Sequence, residues 1–194
     1  MLSNPGHIGF IGLGGGSLPK YCHRYLGEAR ISIAEINPAV IALRDEFHVP
    51  PQSDRFGVLQ LDGAEFVATN PSTFDILMVD AFDLHGQPPH LCTSAFYQAC
   101  LEALTTGGYL VVNLCHEGKA KTIARIEQVF KQPVHRLRDC DGQNVVVIVG
   151  KERDETPLAS LSTRAKVLES LHPLSFREIA YSLYTARDAE SETA

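Results

Sequence analysis

The stretch "HIGFIGLGGGSLPKYCHRYL" (7–26) decides the fold: a short apolar run, a turn built of glycines, then residues at helical spacing. Residues 7–12 read as a strand and 17–26 as the helix that leaves the turn. Glycines stand at positions 12, 14, 15 and 16. Without side chains they let the backbone turn sharply and let a ligand lie close against it. The loop does not by itself name that ligand. The dinucleotide fingerprint needs a glycine where Ser17 stands, and a phosphate-binding loop needs Lys-Ser or Lys-Thr after its last glycine. Neither is present.

The same alternation continues outward from this unit. Strands are predicted over 30–36, 56–61, 74–80 and 107–115, with helices over 37–47, 63–70, 93–104 and 118–130. Asn37 is a natural N-cap, and Pro38 suits the first helical position. Residues 134–139 and 144–150 read as two last strands joined by "CDGQ", a connection too short for a parallel crossover. The expectation is a Rossmann-like α/β domain over 1–150, with a mostly parallel seven-stranded sheet and a C-terminal antiparallel hairpin. Residues 151–187 read as a helical extension. Leu158, Leu161, Ala165, Leu168 and Leu171 share one helical face, and Ser175 with Glu178 makes a capping box before Phe176, Ile179, Ala180 and Leu183. These two helices are expected to pack on the domain or on a second subunit, and a homodimer is expected. Residues 188–194 read as a disordered tail.

Composition narrows the partners. The chain has 194 residues and a formal charge of −6, with no Lys/Arg cluster. That balance argues against nucleic acid and favours cationic ligands. Cys22, Cys92, Cys100, Cys115 and Cys140 form no C-x-x-C pair and read as reduced thiols in a cytoplasmic protein. No signal peptide and no membrane span is expected.

The strand ends carry the chemistry. Glu35 closes the second strand about 20 residues beyond Gly14, where a carboxylate can accept from both hydroxyls of a ribose. Asp62 closes the third strand; it can accept from the exocyclic amine of adenine, and Gly63 permits close approach of the base. Asp80 closes the fourth strand and Asp83 opens the loop beyond it, in "VDAFDLHG". Of this pair, Asp80 is the better proton acceptor and Asp83 suits a cation. Together they make a row shaped for an adenosyl ligand along the carboxyl edge of the sheet. His85, His90 and Cys92 share the following loop, but their spacing matches no common zinc pattern, so no metal is expected.

Five blocks, "IGLGGGSL", "EINPAVI", "RFGVLQLDGAEF", "FDILMVDAFDLHG" and "SAFYQACLEALTTGGYLVVN", resemble the spermidine synthase family of aminopropyltransferases, which share the class I methyltransferase fold. The resemblance covers about residues 8–115. It implies an aminopropyl group passing from decarboxylated S-adenosylmethionine to a small cationic amine such as putrescine. Glu35 would then hold the ribose, Asp62 the adenine and the glycine loop the sulfonium nucleoside. Asp80 would deprotonate the attacking amine, and Asp83 would hold an ammonium.

Two departures qualify that expectation. The family usually has an Asp inside the glycine run where Gly15 stands, and often an Asp where Asn37 stands. The missing Asp blunts the distinction between decarboxylated and intact S-adenosylmethionine. It keeps two alternatives open: a small-molecule methyltransferase, and a non-catalytic adenosyl-binding or interaction protein. The family's N-terminal β-hairpin domain also has no counterpart, which points to a reduced relative or to an internal start at Met1.

Overall fold

The computed structural model describes residues 4–83, 86–115, 118–138, 144–153, 158–172 and 174–181. Along the chain come β1 (His7–Ile11), α1 (Ser17–Tyr25), β2 (Arg30–Glu35), α2 (Pro38–Ala42), β3 (Phe56–Gln60), α3 (Gly63–Ala68) and β4 (Phe74–Val79). A 3-10 turn (Pro89–Cys92) precedes α4 (Ser94–Ala103), β5 (Leu104–Leu114), α5 (Lys119–Phe130), β6 (His135–Arg138), β7 (Val145–Gly150) and α6 (Leu158–Leu171). The strands form one seven-stranded sheet in the order β3-β2-β1-β4-β5-β7-β6. Its first five strands run parallel, and β7 is antiparallel to both β5 and β6. This is the α/β sheet with a closing antiparallel hairpin that the sequence predicts.

Alternating side chains feed both faces, as a sheet covered on both sides requires. On one face Leu77, Val79, Leu110 and Val112 pack with Phe66 of α3, Tyr97 of α4 and Ile126 of α5. On the other, Ile8, Phe10, Ile31 and Ile33 pack with Leu13 and with Cys22 of α1. Burying each of the larger side chains contributes about 1.5–3 kcal/mol. The glycine turn, the ends of β2, β3 and β4, and the loop after β4 therefore share one edge of a rigid slab.

Two local expectations need correction. The helix predicted over 37–47 stops at Ala42. Beyond it, Leu43 and Arg44 donate to carbonyls three residues back, and His48 turns at φ 54°. Asp45 and Glu46 carry negative charge where a helix C-terminus disfavours it.

The second correction concerns β5, which begins at Leu104 rather than at 107, directly where α4 ends. Its ladder with β4 jumps from Phe74↔Leu104 to Ile76↔Tyr109. The residues between swing past Asp75, whose Oδ1 accepts from Thr105 Oγ1 at 2.7 Å.

Leu161 and Ala165 are buried, but Leu171 is 65% exposed, so the apolar face is only partly covered. Residues 176–181 are helical. The Arg177 amide near the start of this segment donates to Glu169 Oε1 of α6. An aromatic cluster of Tyr21 and Tyr25 with His172 and Phe176 joins the extension to α1. The predicted tail, 188–194, lies outside the described residues. No helix among the described residues is long and apolar enough to cross a membrane.

Candidate functional site

At the end of β1 the chain leaves the sheet at Gly12, with φ 98°. The Gly12 amide donates to Ala34 O at 2.8 Å. A Cβ here would run into the carbonyl oxygen of Asp80, so the turn is wedged between the ends of β2 and β4 and tolerates no side chain. Gly16 caps α1. At the crest, a Cβ on Gly14 would meet no atom within 4 Å, and one on Gly15 would meet the Phe47 ring at 3.7 Å. The crest is thus open and carries no charge of its own.

Glu35 ends β2 as a buried carboxylate at 9% exposure. Its Oε2 accepts from the amide of Leu13 at 2.9 Å and its Oε1 from that of Asn37 at 2.8 Å. The side chain therefore ties the glycine turn to the β2–α2 corner. Each oxygen keeps a second lone pair for a ligand hydroxyl. Ile36, next in sequence, is 61% exposed and offers apolar surface beside this carboxylate.

Asp62 is the N-cap of α3, with Oδ1 accepting from Ala64 N at 2.8 Å. Its Oδ2 lies 2.9 Å from His90 Nε2. Partial burial pushes the Asp62 pKa up, but the Ala64 amide and His90 together outweigh it, and the carboxyl sits below its usual range. Gly63 packs so tightly that a Cβ would overlap Ile11 Cγ2, with Leu91 Cδ2 3.5 Å away. The Asp62 end of the edge and the loop after β4 are thereby pressed together.

Asp80 follows β4 and is exposed. Its amide donates to Ile11 O at 2.9 Å, which extends the β1–β4 ladder by one residue. Its Oδ1 accepts from Asn113 Nδ2 at 2.9 Å, which leaves Oδ2 as the natural proton acceptor. Asp83 is also exposed and exchanges backbone hydrogen bonds with Gly86. His85 lies outside the described residues. The other two members of that loop set face different partners, His90 toward Asp62 and the Cys92 thiol toward Gln87 O.

Gly12, Gly14, Gly15, Gly16, Glu35, Asp62, Gly63, Asp80 and Asp83 thus fall along one edge of the sheet. Sequence reasoning missed Asn113 and gave His90 no part beyond a possible ligand set. The spacing of Asn113 carries no signal, because its meeting with Asp80 follows from the β4–β5 register.

The spermine/spermidine synthase domain family matches residues 4–139. This chain belongs to that family. The polyamine aminopropyltransferase of Neisseria meningitidis serogroup A is 31% identical over 183 residues, 92% of this chain and 70% of that protein. Among solved structures, human methyltransferase-like protein 13 in complex with SAH superposes with a TM-score of 0.71 at 24% identity. It covers 94% of this chain and 82% of its own. A spermidine synthase in complex with a transition-state analogue gives 0.68 at 22% identity, covering 94% and 71%. The family's methyltransferase-like fold is therefore the fold of this chain.

Proposed function

We propose that the chain is an aminopropyltransferase that moves an aminopropyl group from decarboxylated S-adenosylmethionine to a diamine such as putrescine. The observation that carries this is Asp80: an exposed carboxylate, held through one oxygen by Asn113, on the same edge as the glycine turn, Glu35 and Asp62. An ammonium cannot attack carbon, so the amine must first lose a proton, which Asp80 Oδ2 accepts. The freed nitrogen attacks the carbon next to the sulfonium. A C–N bond forms, the C–S bond breaks with its electron pair going to sulfur, and a neutral thioether nucleoside leaves. Asp83 holds an ammonium of the amine. Glu35 and Asp62 hold ribose and adenine, and alignment of nitrogen, carbon and sulfur supplies much of the remaining rate.

One observation favours a second reading. The open, uncharged crest at Gly14 and Gly15 leaves no carboxylate of its own to repel that of intact S-adenosylmethionine, which suits methyl transfer. Calorimetric titration with the decarboxylated and the intact compound separates the two. Preference for the decarboxylated form is the expected result, and equal or tighter binding of the intact form moves the assignment to methyl transfer. Binding of neither leaves a non-catalytic relative. The reading also takes the protein as a cytoplasmic homodimer, in keeping with the free thiols of Cys22, Cys92, Cys100 and Cys115 and the apolar residues left exposed on the extension.

A further inference from the structure

We propose that His90 gates the base end of the site: in the empty protein its imidazole is bonded to Asp62 Oδ2, and it competes with a purine amine for that oxygen when the nucleoside enters. This rests on the adenosyl reading above and extends it to a residue that reading does not use.

The Asp62 carboxylate caps α3 and also bonds His90. Oδ1 holds the Ala64 amide at 2.8 Å, a bond α3 needs for its first turn. At Oδ2, His90 Nε2 stands 2.9 Å away. The two side chains are 30% and 53% exposed, so a solute can reach the pair. A 6-amino group and an imidazole N–H are both donors that seek the same carboxylate oxygen.

The backbone that carries His90 is fixed. Leu91 is 3% exposed and its amide donates to Pro88 O at 2.9 Å. Cys92 O accepts from Arg125 Nη1 of α5 at 2.7 Å, and Thr93 Oγ1 donates to His90 O at 3.1 Å. Gln87, at the other end of the loop, is 7% exposed. The motion that clears Asp62 is therefore rotation of the His90 side chain, with the loop left in place.

One hydrogen bond sets the strength of the gate: the His90 ring N–H donates to the Asp62 carboxylate. The titratable and charged groups on the elements around this loop are Asp62 and Glu65 of α3, Tyr97, Cys100 and Glu102 of α4, and Lys119, Lys121, Arg125 and Glu127 of α5. Of these, Asp62 is the group bonded to His90. A solvent-reached pair of this kind shifts affinity by roughly two- to five-fold, enough to tune binding without blocking it.

The test is calorimetry with 5′-methylthioadenosine on wild type, His90→Ala and His90→Gln. His90→Ala should bind roughly two- to five-fold more tightly than wild type, and His90→Gln, which keeps a donor, should stay closer to the wild type. Equal affinity of wild type and His90→Ala overturns the gate. So does weaker binding by His90→Ala, which makes His90 a ligand contact. Absence of binding by every protein overturns the adenosyl reading and the gate with it.

Discussion

Asp80 has no burial to make it unusual; its position and its partner set it apart. Asn113 donates to one oxygen of this exposed carboxylate at the end of β4. Asp80→Asn keeps the size and the Asn113 neighbourhood but removes the proton acceptor. Turnover with a diamine should fall about 10²–10⁴-fold, while calorimetry shows nucleoside binding retained. Unchanged turnover would end the proposed mechanism. Glu35, Asp62 and Asp80 were legible in the sequence because each closes a strand, and parallel topology sends all such ends to one edge. Asn113 and His90 were not, because their partners lie across the sheet and across a loop. Glu35 is a different case: its position was legible, but its commitment to the Leu13 and Asn37 amides was not, since backbone donors leave no mark on residue type.

Asp75, at the opposite end of β4, organises the elements rather than the chemistry. Its Oδ2 accepts from the amides of Gly6 at 2.7 Å and His7 at 3.1 Å, and its Oδ1 holds Thr105. One carboxylate thus joins the starts of β1 and β5 to β4, and this explains why β5 begins three residues early. Partial burial opposes ionisation, but the Thr105 hydroxyl and the His7 and Gly6 amides prevail and lower its pKa. The sign follows: a depressed folded pKa gives stability that is complete above the unfolded value, 3.8, and lost as pH falls through the folded one. Asp75→Ala should destabilise by about 1–3 kcal/mol in urea unfolding at neutral pH, since two amides and a hydroxyl lose their acceptor. The variant should also show a shallower loss of stability below about pH 4. A wild-type unfolding midpoint would show that water replaces the carboxylate at no cost. The shortened α2 teaches the complementary lesson. Its apolar spacing read as a longer helix, but Asp45 and Glu46 at its exit were the residues to weigh.

At the scale of the molecule, the order of strands and helices was legible because apolar runs and glycine punctuation repeat with βα regularity. The packing of the extension was not. Periodicity finds a face but does not say what covers it. Val167, Leu171, Leu174 and Ile179 remain 55%, 65%, 47% and 42% exposed. Light scattering should give twice the mass of one chain, and Leu171→Glu should shift that mass toward a single chain. A single-chain mass for the wild type at all concentrations removes the homodimer.

The place of β7 in the sheet has a consequence for synthesis on the ribosome. β5 finds β4 on one side as soon as it emerges, but its other side waits for Val145–Gly150, which comes after α5 and β6. Throughout that interval the nascent chain carries an apolar strand with an open row of amides and carbonyls, the form most prone to pair with another chain. A stalled or prematurely terminated product that ends before Val145 exposes this strand permanently. Such fragments will collect in inclusion bodies, and overexpression should be limited by how quickly the last strand of the sheet is delivered.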